Sequence, residues 1–244
     1  MTRSTLAALA LALLTGCGAG SRPPPTPAPT KRVDPATAAR VSGVVRFAGQ
    51  PPAPRRIPMS TQDCAALHST VEVREVDVHD GKLAGAYVYV KSGLEEYGFD
   101  VPREPVVLDQ VDCLFVPRVV GVMANQTLSM RNSDPALHNV HTQPKVNDAY
   151  NRAFAGKGVT HETTFAAPEV MIPMRCDMHA WMTGWIGVTA HPFFKVTGAD
   201  GAFAFEGLPP GELVLEVWHE TLARVQRRIS LKAKESVKLE LELK

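Results

Sequence analysis

The stretch Val170-Met171-Ile172-Pro173-Met174, then Cys176-Asp177-Met178-His179-Ala180-Trp181-Met182, then Gly184-Trp185-Ile186-Gly187-Val188-Thr189-Ala190 sets two apolar, strand-like runs on either side of a short loop. The loop carries a thiol, an imidazole and a thioether at C-x2-H-x2-M spacing, and side chains so placed converge on one ion only if the loop curls around it. Upstream, Asn132-Ser133-Asp134-Pro135-Ala136-Leu137-His138-Asn139 offers a second imidazole, which has to come from an adjacent strand. Two histidines and a cysteine form the trigonal plane, and a methionine the long axial bond, of one mononuclear type 1 copper site. Each residue alone has a plain structural use as a small buried thiol, a packed thioether or a core or surface imidazole. Together, at loop spacing between strands, they point to copper, and the softness of the set favours it over zinc.

The loop and the His138-Asn139 pair resemble those of the cupredoxins, the amicyanin type in particular. The resemblance implies a Greek-key β-sandwich whose copper ligands are His138, Cys176, His179 and Met182. Here Met174 stands where an aromatic residue often precedes the cysteine by two places. His138 and His141 cannot both face the site from one regular strand, because positions three apart face opposite sides of the pleat. The resemblance favours His138, since Asn139 then ties the two ligand loops together by hydrogen bonds; His141 is the substitute, and His161 and His191 are solvated or loop residues. It also implies that His179 shows its ring edge through an apolar patch supplied by Met178, Ala180 and Trp181.

The amino-terminal segment has a basic start at Arg3 and an apolar run over residues 6–14 that ends in Leu14-Thr15-Gly16-Cys17. The run is too short to span a bilayer, and it reads as a secretion signal over residues 1–16. Its ending resembles the bacterial lipobox, which implies lipid on Cys17 and a protein anchored in the cell envelope, facing the periplasm. Gly18 is not the aspartate associated with inner-membrane retention, so the outer membrane is the expectation. Residues 17–39, dense in Gly, Pro, Ser and Thr at their start, read as an extended tether. With Cys17 assigned to lipid and Cys176 to copper, Cys64 and Cys113 remain, and an oxidising compartment favours their pairing. The alternative leaves both reduced and buried. Lys and Arg total 26 against 25 Asp and Glu, a formal net charge of +1 with no basic stripe, so nucleic acid is not a partner.

Short strand-like runs separated by Gly, Pro, Asn and Asp, over residues 41–47, 71–78, 83–90, 119–123, 127–131, 170–174, 185–190, 213–218, 225–231 and 237–243, predict an all-β protein. Residues 195–217 place Asp200-Gly201 and Pro209-Pro210-Gly211 as turns between alternating strands. This thread resembles the carboxypeptidase-regulatory-like family, a small transthyretin-like sandwich, whose opening strands would fall at residues 41–47 and 85–90. The layout expected is a discontinuous outer sandwich of residues 40–100 and 193–244, interrupted by a cupredoxin domain of residues 101–192. The rival is a linear order of an amino-terminal β-segment, a cupredoxin and a separate sandwich.

These readings predict a single-electron carrier serving an extracytoplasmic redox protein and reaching the membrane through its lipid anchor. A copper carrier or sequestering protein is the first alternative, supported by Met171, Met174, Met178 and Met182 near the loop. A surface interaction module with a structural copper site is the second. An enzyme is not expected: there is no Gly-x-Ser-x-Gly or His-Glu-x-x-His sequence, and a complete ligand set leaves no open metal position.

Overall fold

A computed structural model describes residues 29–244. The segment expected to be a secretion signal, residues 1–16, and Cys17 lie outside the described residues. Among the described residues the chain is all-β apart from one short helix, Gln62–Leu67. Among the described residues no helix is long and apolar enough to cross a membrane.

Four larger sheets form two packed pairs. In the outer pair, Ala39–Phe47 lies between Ala202–Leu208, antiparallel, and Ser236–Leu243, parallel. The facing sheet runs Phe194–Val196, Tyr87–Ser92, Gly211–Trp218, Val225–Leu231. Alternation along Ala39–Phe47 sends Val41 and Val45 inward to meet Leu83, Phe203, Leu215 and Leu241 in one apolar core. The inner pair comes from the residues between. One sheet runs Thr160–Thr163, Leu128–Asn132, Val106–Val111, Leu114–Val116; the other runs Asn151–Phe154, His138–Thr142, Glu169–Arg175, Thr183–Thr189, Val119–Met123. Leu108, Val122, Met130, Phe154, Ile172 and Ile186 fill its core.

The two pairs meet at a third apolar cluster containing Tyr87, Tyr89, Met171 and Trp218, with Trp185 and Phe194 packed against it. Gly121 and Gly187 are register partners on neighbouring strands. A Cβ on Gly121 would stand 2.5 Å from the Phe194 ring, and one on Gly187 would stand 2.6 Å from that of Tyr87. Bare backbone at these two positions is what lets the aromatic rings of the outer sandwich lie flat on the inner one.

Several elements depart from the sequence reading. The run 83–90 is broken because Gly85 takes a left-handed φ of 73°, leaving Lys82–Leu83 and Tyr87–Ser92 as separate strands. The tether expected to reach residue 39 is held earlier: the Lys31 amide donates to Glu96 O at 2.9 Å, and Gly98 N donates to Lys31 O at 2.8 Å. Residues 55–73, expected in the outer sandwich, form a small hairpin of Arg55–Pro58 and Thr70–Val73 with the helix between its arms. Met59 and Cys64 are buried in the inner core, and Leu67 and Val71 pack against it, so apolar contact draws this excursion onto the inner sandwich.

Candidate metal centre

The strands bring the separated residues together by pairing. His138–Thr142 runs antiparallel to Glu169–Arg175, which turns back through residues 176–182 into Thr183–Thr189. The turn is closed by its own backbone: Cys176 N donates to Met182 O, and Met182 N donates to His179 O, each at 2.9 Å. His138 Nδ1 lies 3.0 Å from His179 Nδ1, and Cys176 Sγ lies 3.5 Å from His179 Nδ1. All three residues are sequestered, with 0, 2 and 3% exposure for His138, Cys176 and His179. Their ligand atoms lie within 4.8 Å of one another. That spacing suits a first-row ion bonded at about 2.0 Å to nitrogen and about 2.3 Å to sulfur. Met182 is fully buried in the same apolar cluster as Cys176.

His141 faces the other side of the pleat, 2.9 Å from Asp177 Oδ2 and away from this cluster. Asn139 bridges the two loops: its Oδ1 accepts from Asp177 N at 2.7 Å, and its Nδ2 donates to Asp177 Oδ2 at 2.9 Å. Hydrogen bonds from His141, Asn139 and Arg175 hold the Asp177 carboxyl down at about 2.

Two partners of the site were not visible in the spacing. His138 Nε2 is 2.9 Å from Asp134 Oδ2, and Asp134 also accepts the amides of Asp112 and Cys113, each at 2.8 Å. An acidic residue four before a histidine was the available signal. The second partner is the excursion 55–73. Thr61 Oγ1 lies 3.0 Å from His179 Nε2, and Cys64 Sγ lies 3.4 Å from it. Cys64 is bonded to Cys113, with Cα atoms 6.0 Å apart. Trp181 Nε1 donates to Cys113 O at 3.0 Å, which seals the other flank.

The expectation that His179 shows its ring edge is therefore corrected. Thr61 and Cys64 cover that edge, and Trp181 is half-buried against the bridge. Met178, at 55% exposure, and Ala180 remain at the surface.

Burial alone pushes the Cys176 thiol up, but His138 and the amides of Asn139, Met178 and His179 outweigh it and hold the thiol below its usual range. Burial likewise disfavours charge on His138; Asp134 and Cys176 overcome this and raise its pKa. His179 goes the other way, lowered by burial and by the neighbouring His138. The two rings are thus shifted in opposite directions, with His138 Nε2 facing the Asp134 carboxylate and His179 Nε2 facing Thr61 Oγ1. Two imidazoles and a thiol poised to lose its proton are the donor set of a soft-to-borderline ion such as copper.

No protein-family model matches the chain, and no curated protein matches it. Solved structures do. A Cu-containing nitrite reductase from Thermus scotoductus SA-01 is 21% identical over 41% of this chain and 25% of its own, with a TM-score of 0.34. A purple cupredoxin from Nitrosopumilus maritimus is 16% identical over 34% of this chain and 99% of its own, at 0.30. Amicyanin from Paracoccus versutus is 23% identical over 41% of this chain and 96% of its own, at 0.32. The present chain thus spans a quarter of the nitrite reductase chain and nearly the whole of the other two.

Proposed function

We propose that this chain is a membrane-tethered type 1 copper protein that carries single electrons between redox partners outside the cytoplasm. One observation carries the reading: Cys176 Sγ and His179 Nδ1, on the loop of residues 176–182, meet His138 Nδ1 from the strand His138–Thr142 in a buried cluster. His138, Cys176 and His179 would hold the ion, and Met182 would add a thioether donor to the set. When bound, copper supplies a Cu(II)/Cu(I) couple. The chain's own residues do the rest. Asp134 orients the His138 ring, Asn139 and Asp177 lash the two ligand loops together, and Thr61 at Nε2 orients the His179 ring with Nδ1 toward His138 and Cys176. Four protein donors leave no open position for a substrate, which supports a carrier over an enzyme. Lipid on Cys17, the periplasm-facing outer-membrane location and the carboxypeptidase-regulatory-like character of the outer sandwich are proposed from sequence alone.

The test is a visible spectrum of the Cu(II)-loaded protein. An intense thiolate-to-copper band is expected in the wild type and lost in Cys176→Ser, with the fold retained. A band that survives the substitution sinks the reading. The exposed Met178 beside the site supports the alternative of a copper carrier, and rapid loss of Cu(I) to a chelator from an otherwise blue protein would favour it.

A further inference from the structure

The His179 ring has sulfur at both nitrogens: Cys176 at Nδ1 and Cys64 at Nε2. Among the described residues, two groups of three His, Cys or Asp side chains bring their ligand atoms within 4.8 Å of one another, and they share His138. The first is the centre already described. The second is Cys113, Asp134 and His138, all buried, and its cysteine is tied to Cys64. We propose that Cys64 and Cys113 are the oxidised, masked form of a second soft-metal site, taking a Cu(I)-class ion on two thiolates beside the outer edge of His179. The inference rests on the copper reading only for the identity of the neighbouring site.

The anchoring of both cysteines supports it. Asp134 accepts the Asp112 and Cys113 amides, so that backbone is held by hydrogen bonds as well as by the sulfur bond. Cys64 sits on the helix Gln62–Leu67, and Leu67 within it and Met59 and Val71 on either side are packed with the inner core, so the position of Cys64 is held by apolar contact as well as by the bridge. The chemistry balances. A small-molecule dithiol cleaves the bond between Cys64 Sγ and Cys113 Sγ, delivers two electrons and two protons, and closes to its own disulfide. Cu(I) then displaces the two thiol protons and bonds to both sulfurs, soft ligands suited to it.

The experiment uses the full chain, either oxidised or reduced anaerobically with a dithiol that is then removed. Each form is titrated with Cu(I) against a chromophoric Cu(I) chelator. Reduction is expected to raise the tightly bound copper from one equivalent to two. Reduced Cys176→Ser should keep one, and reduced Cys64→Ser/Cys113→Ser should also bind one. The oxidised wild type is the control that needs no substitution. In spectra of protein labelled with nitrogen-15 histidine, the second equivalent should shift the His179 Nε2 resonance. The proposal is overturned if the reduced protein takes one equivalent, if the second survives loss of both cysteines, or if it binds without moving that resonance. Absence of the blue band would instead defeat the reading of the first centre and leave the difference between oxidised and reduced protein standing.

Discussion

His138 is the residue on which the site turns, because its two nitrogens face a carboxylate and another imidazole. Asp134 fixes the ring and strengthens it as a donor, and outer partners of this kind govern affinity by about 10–100-fold. Asp134→Asn is therefore expected to weaken copper binding by about that factor while retaining the fold, as read by competition against a chelator. The raised His138 pKa adds a pH dependence with opposite signs in the two forms. In the metal-free protein its contribution to stability is complete below its ordinary value, about 6.5, and is lost as pH rises through the raised folded value. Metal affinity runs the other way, since below that folded value Nδ1 holds a proton the ion must displace. Denaturant midpoints of metal-free protein and chelator competition, each followed across about pH 6 to 8, check the pair. The inner donors were legible in the sequence because their spacing is chemical. Asp134 was not singled out, since a lone aspartate in a turn has many uses.

Among the elements, the excursion 55–73 shapes the site most and was least visible. Its two strands are four residues each and its helix is six, too short for either periodicity to stand out. Its cysteine and the strand-like run that begins at Val71 gave the signals, and the cysteine sufficed to pair Cys64 with Cys113. The bridge closes a separation of 49 residues, for which chain entropy assigns about 4 kcal/mol. Cys64→Ser/Cys113→Ser is expected to lose stability on that scale in chemical denaturation while Thr61 and the apolar anchors keep the edge of His179 covered. An unchanged rate of His179 modification by an imidazole-directed reagent, read by peptide mass, would check this; a faster rate would show that the bridge itself holds the cover.

Across the whole molecule, the two sandwiches are fitted to each other at Gly121 and Gly187. Gly121→Ala drives a methyl into Phe194, and overpacking of this kind costs about 1–3 kcal/mol. Shrinking the ring with Phe194→Val in the same chain should recover part of the loss. A double-mutant cycle in denaturant that showed strict additivity would remove the contact from the account. The all-β class was legible from short runs and turn residues. The strands Val106–Val111 and Leu114–Val116 and the hairpin arm Arg55–Pro58 were not, because Asp109, Gln110, Arg55 and Arg56 interrupt any apolar alternation. Asp109 is accommodated by tertiary contacts, accepting from Arg131 at 2.7 Å and from Ser133 at 2.9 Å.

The pairing of Ala39–Phe47 with Ala202–Leu208 and Ser236–Leu243 also sets an order of assembly. A chain leaving the ribosome or an export channel presents this strand early and its partners late. Every strand of the inner sandwich has emerged by residue 189, so the copper half can close first, as domains tend to do during synthesis. Meanwhile residues 39–45 wait with both edges unpaired, since only the end of the strand, at Arg46, has an early partner in Lys82, and an unpaired edge is the condition in which a strand is most prone to join a neighbouring chain. The early-folding half, carried between the waiting strand and its late partners, keeps the two ends of the outer sandwich in reach of each other until the last strand arrives.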